Sequence, residues 1–160
     1  MITLTNTETM SLFETITQEI KKAMLAREKG RLEALRSVKA AFMMAKTEKG
    51  ASHILSEEEE LKIIQKMVKQ RLDSAAIYKE QGRDDLYQME MEEYRVIEAF
   101  MPAQLTEAEL RAYLGKLVSD MGADSMQQMG SVMGRATSEL SGRADGKMIS
   151  TIVRQLLSSS

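Results

Sequence analysis

The chain has 160 residues, 43% of them hydrophobic, 29% charged and 4% aromatic, with a single proline. That length suits one domain or two very small ones sharing a core, and so few prolines and aromatics argue against a β-sandwich or barrel. Zero cysteines, one histidine and a net charge of −2 exclude a disulfide framework, a thiolate or multi-histidine metal site, a cysteine nucleophile and a global electrostatic grip on nucleic acid.

Residues 1–9, MITLTNTET, are polar and aperiodic and read as a disordered extension. They lack the basic and apolar regions of a secretory signal. No apolar run of about 18 residues follows, so no membrane association is expected and the cytoplasm is the expected compartment.

From Met10 the chain reads as helix after helix. Ser11-x-x-Glu14 forms a capping box, in which each side chain satisfies the other residue's backbone N–H. Phe13, Ile16, Ile20 and Met24 then share one face, and Glu28-Lys29-Gly30 is expected to break the helix. Leu32, Leu35, Val38 and Phe42 mark a second helix ending near Gly50. Ser56-x-x-Glu59 opens a third, with Leu61, Ile64, Val68, Leu72 and Ala75 inward and Gly82 just past its end. Asp84 is expected to cap a fourth, carrying Leu86, Met89, Tyr94 and Ile97. Short turns between long amphipathic helices imply antiparallel neighbours.

Pro102 then punctuates the chain, since the residue before a proline is pushed out of the α region. Beyond it, Thr106-x-x-Glu109 opens a helix with Leu110, Leu114, Leu117 and Met121. Ser125-x-x-Gln128 opens a short one marked by Met126, Met129 and Met133, and Ile149, Ile152, Val153 and Leu156 mark the last. The expectation is an all-α, two-lobed protein: antiparallel helices over 10–100 and a small three-helix lobe over 101–158. Most of the 14 methionines fall at core spacings, where Met fills gaps.

Several motifs mislead. His53 has no second ligand type spaced with it, so it reads as a loop histidine and no metal is expected. Glu57 to Glu60 point in four directions on a helix, so they cannot converge on a cation; they complement the helix dipole. Gly142-Arg143-Ala144-Asp145-Gly146-Lys147-Met148 has too short a spacing for a phosphate loop, and Met148 stands where Ser or Thr is needed. One reading makes Gly142 a helix stop, Asp145 a cap and Lys147 a solvated side chain. The other makes the glycine backbone, the helix start and the two cations a phosphate contact, with Arg135 as a third. No catalytic residue and no cofactor are expected.

Charge is unevenly spread. Residues 21–49 carry nine basic and three acidic side chains, and residues 57–98 carry seven basic and twelve acidic. The plainer explanation is mutual neutralisation across an antiparallel bundle. The sharper one is a basic face of Arg36 and Lys39, with Lys46, Lys66 and Lys69, touching an RNA backbone.

Six segments together carry a resemblance. They are Leu35-Arg36-Ser37-Val38-Lys39-Ala40-Ala41, Lys69-Gln70-Arg71-Leu72-Asp73-Ser74, Gly82-Arg83-Asp84-Asp85-Leu86, Met101-Pro102-Ala103-Gln104-Leu105, Met129-Gly130-Ser131-Val132-Met133-Gly134 and Gly142-Arg143-Ala144-Asp145-Gly146-Lys147. In this order and spacing the chain resembles the GatB/YqeY family, specifically its stand-alone YqeY-like proteins, from Met10 to Leu157. The resemblance implies an all-helical, two-lobed fold related to the helical tail of the B subunit of glutamyl/aspartyl-tRNA amidotransferase. That tail is associated with the tRNA body, which implies tRNA or a tRNA-associated enzyme as partner, not DNA. The family label of carbon–nitrogen ligase with glutamine as amido donor describes the whole amidotransferase, whose catalytic cradle has no counterpart here. A binding module is therefore the preferred expectation, ahead of a protein-interaction module and of a ligase subunit.

Overall fold

The computed structural model describes residues 10–50 and 52–158; the expected extension over 1–9 lies outside the described residues. Among the described residues there are seven α-helices and no strand. The fold is all-α. The chain divides after Phe100 into two compact units, taken in turn.

In the first unit, α1 (Leu12–Ala26) and α2 (Lys29–Glu48) form one hairpin, and α3 (Glu57–Glu80) and α4 (Asp84–Glu98) a second. Helix α2 also packs on α4. Ser11 and Ser56 accept the backbone N–H of Glu14 and Glu59, each at 3.2 Å, and so start α1 and α3 as their spacing predicts. Gly82 has φ +70, and the Arg83 N–H reaches back to the Tyr78 carbonyl at 2.9 Å to close α3.

The core of this unit is Ile16, Ala23, Ala34, Leu35, Val38, Phe42, Ile64, Met67, Val68, Ala75 and Ile97. Fully burying each large side chain contributes about 1.5–3 kcal/mol before ordering costs. Three residues of the expected stripes, Met24, Leu72 and Met89, are instead exposed.

The turns differ from expectation in two places. The α1–α2 break is made by Arg27, in the left-handed region at φ 58, not by Gly30, which lies inside α2. Two reverse bonds, from the N–H groups of Arg27 and Glu28 to the carbonyls of Met24 and Ala23, hold that conformation. Asp84 is not a cap but the first helical residue of α4, whose cap position, Arg83, makes no side-chain capping bond. Asp84 and Asp85 still favour that end through the helix dipole.

In the second unit, α5 (Glu107–Asp120), α6 (Met129–Glu139) and α7 (Gly146–Ser158) enclose one core. It comprises Leu110, Leu114, Leu117, Val132, Ala136, Leu140, Ala144, Ile149, Ile152, Val153 and Leu157. Thr106 accepts the Glu109 N–H at 3.2 Å to start α5. Ser125 precedes a single 3₁₀ turn (Met126–Gln128) rather than α6 directly. There the Gln128 amide oxygen accepts the N–H groups of Asp124 and Ser125, at 2.7 and 3.2 Å. Met126 is exposed; Val132 and Ala136, not the methionines, form the buried face of α6.

Candidate nucleic-acid interface

The glycine-containing motif sits between α6 and α7. Gly142 is buried and has φ +74, a conformation that costs a side-chain-bearing residue about 1–2 kcal/mol. It turns the chain so that two successive carbonyls face the segment after Pro102. The Gln104 side-chain amide donates to the Gly142 carbonyl at 2.5 Å, and the Leu105 N–H donates to the Arg143 carbonyl at 2.9 Å. Pro102 itself is non-helical, and its carbonyl accepts the same Gln104 amide at 3.0 Å. Two of the six resemblance segments are thus one tied structure.

Asp145 opens α7. Its carboxylate accepts the Lys147 N–H at 3.4 Å, and its carbonyl accepts the Ile149 N–H at 3.0 Å. The carboxylate is therefore directed to the helix start. Gly146 is the first residue of α7 and is exposed. Gly142, Asp145 and Gly146 are accounted for by turn and cap alone.

The cations differ among themselves. Arg143 is half-buried and Lys147 exposed, and no described ion pair contains either. Lys147 lines a shallow groove between α5 and α7 with Glu107, Arg111, Asp145, Met148 and Thr151. Arg135 is engaged: its Nε donates to Glu139 at 2.9 Å. The Tyr113 hydroxyl donates to the same Glu139 carboxylate. These two bonds, the tyrosine's first, hold the Glu139 carboxyl below its usual range. Glu139 in turn raises the Tyr113 hydroxyl, against the opposing charges of Arg135 and Arg143. The structure thus gathers Arg135 and Arg143 about Tyr113 and sets Lys147 in the neighbouring groove. Tyr113 has no sequence signal beyond a helical position.

In the first unit Arg36 and Lys69 are exposed on α2 and α3, and no described ion pair contains them. Lys39 lies with its Nζ 5.7 Å from the centre of the Phe13 ring. That cation–π contact gives it a packing role within the bundle. The expected neutralisation between the basic and acidic stretches includes Lys49–Glu59 at 3.1 Å. Arg31 instead meets Glu19 at 3.1 Å and Arg71 meets Glu93 at 2.8 Å, each within its own hairpin.

Glu60 escapes a reading based on the helix dipole. It is 2% exposed, and its Oε2 accepts the Phe13 N–H in the first turn of α1 at 2.8 Å. Burial pushes its carboxyl up, opposed by the N–H groups of Phe13 and Leu12. The sequence signal was the apolar face it shares with Ile64 and Val68. His53 sits 3.0 Å from Glu59, which accounts for it locally. Among the described residues no group of three or more His, Asp or Glu is placed to hold a metal ion, and no helix is long and apolar enough to cross a membrane.

Fold and site together define a small all-helical module with local cation clusters. The chain belongs to the YqeY-like protein family, whose model matches residues 13–157. It is similar to "Altered inheritance of mitochondria protein 41, mitochondrial" of Clavispora lusitaniae, at 27% identity over 81% of this chain and 76% of that protein. The protein of the same name from Meyerozyma guilliermondii is 30% identical over 78% of this chain and 68% of that one.

Proposed function

We propose that this chain is a non-catalytic helical accessory module that associates with tRNA or with an enzyme acting on tRNA. The observation that carries the reading is the second unit's surface, where Arg143 and Lys147 stand outside the described ion pairs beside a helix start whose own carboxylate is turned into its cap. The two cations favour phosphate and offer no acid, base or nucleophile in reacting geometry. Family membership adds kinship with the amidotransferase B-subunit tail, an argument from analogy. A role as a subunit in carbon–nitrogen ligation would fit the same surface, with the chemistry supplied by other chains. The compartment in this reading is the cytoplasm; the two relatives carry the word mitochondrial in their names.

The test is recovery of the tagged full-length chain from cells, with bound RNA sequenced and co-purifying proteins identified. Enrichment of tRNA, or of enzymes that charge or modify it, is the expected result. Recovery of neither contradicts the reading.

A further inference from the structure

The hollow beside Tyr113 has a composition that turn-and-cap packing does not require. It measures about 150 Å³ and is lined by Tyr113, Lys116, Leu117, Asp120, Arg135 and Glu139. That is below the roughly 300–1,000 Å³ of small-molecule pockets, so it suits one flat group rather than an enclosed metabolite. Tyr113 is half-buried and packs against the second unit's core. Its hydroxyl is tied to Glu139, which Arg135 also holds. The ring is therefore fixed at both ends, and a ligand stacking on it loses little to ordering the ring.

Two cations line it from two elements, Lys116 one turn along α5 and Arg135 on α6, and Arg143 on the turn after α6 lies outside the lining but acts electrostatically on the tyrosine. Glu139 is offset by Arg135. Lys116 then faces Asp120 across a lining with no net charge, and the more distant Arg143 tips the local field positive.

We propose that this hollow is a subsite for one unpaired RNA nucleotide, its base stacked on the Tyr113 ring and its phosphate held by Lys116. An aromatic ring beside cations is the usual platform for single-stranded RNA, because every base has a face to stack and a duplex hides it. The inference rests on the tRNA reading above but specifies something that reading leaves open: the RNA element gripped is an unpaired loop or end, not a helix.

The experiment titrates the full-length protein with three RNAs at low salt: a tRNA, a single-stranded oligonucleotide, and a duplex of equal length. Tyr113→Phe keeps the ring and loses the hydroxyl; Tyr113→Leu keeps apolar packing and loses the π-face. Thermal unfolding confirms that both variants fold. The expected result is that Tyr113→Leu weakens single-strand and tRNA binding by about tenfold, the usual scale of one stacked base, and leaves duplex binding unchanged. Tyr113→Phe stays within about twofold of wild type, since stacking needs only the ring. Wild-type binding of tRNA with no loss in Tyr113→Leu overturns the subsite and leaves the tRNA reading standing. Equal losses on duplex and single strand also overturn it. Failure of the wild type to bind any of the three overturns the subsite together with the direct tRNA contact it rests on.

Discussion

At the scale of residues, Arg27 and Glu60 each carry a task that their neighbours in sequence conceal. Arg27 takes a left-handed turn that glycine usually takes, because the reverse bonds around it outweigh the strain. Glu60 is one of four consecutive glutamates, three of which meet the solvent view of a first helical turn. The fourth is carried inward by helical period and caps α1 from across the bundle. Removing it orphans the Phe13 N–H, so Glu60→Ala is expected to cost about 1–3 kcal/mol in denaturant unfolding. Its folded pKa is raised by burial, so the folded state binds the proton more tightly than the unfolded one. The contribution of Glu60 therefore favours folding below the unfolded carboxylate pKa and diminishes as pH rises through the folded one. Glu93 is raised for the same first reason, burial, with Arg71 opposing. Glu60→Gln keeps an acceptor and removes the charge, so its stability should vary less steeply than wild type between mildly acidic and neutral pH. A curve parallel to wild type would show that Glu60 does not titrate in that range.

At the scale of elements, helices and their starts were legible because their signals are local. Ser11, Ser56 and Thr106 cap the helices that their spacing predicts. What was illegible depends on partners distant in sequence. The exposure of Met24, Leu72 and Met89 is one instance. The tie between Gln104 and the Gly142 carbonyl joins residues 38 apart, and nothing in either segment announces the other. The candidate cations were legible as residue types, and the Arg135–Glu139 pair stands at the local i,i+4 helical spacing, but the contact of Lys39 with Phe13 on another helix was not legible. The tie makes a prediction of its own. Gly142→Ala forces a side chain into the φ +74 conformation and is expected to cost at least about 1 kcal/mol, as a lowered midpoint in thermal or denaturant unfolding. Unchanged stability would mean that the turn relaxes and that Gly142 is not needed for it.

At the scale of the whole molecule, a net charge of −2 means that any hold on RNA comes from local clusters against an unfavourable mean field. Binding should therefore be weak and should fade steeply with salt, because each phosphate contact releases counterions. Arg143 and Lys147 are among the cations that the second unit leaves outside its described ion pairs, with Lys116 and Arg154, and they flank the start of α7, whereas Arg135 contributes less because Glu139 already holds it. The most direct measurement of the central claim is tRNA affinity across a salt series for the wild type and Arg143→Ala/Lys147→Ala, with circular dichroism confirming the fold. The account predicts weaker binding by the double variant and a log–log salt slope shallower by about two units, one for each lost phosphate contact. Equal affinities and equal slopes would contradict it, leaving Arg143 and Lys147 as parts of a turn and a helix start.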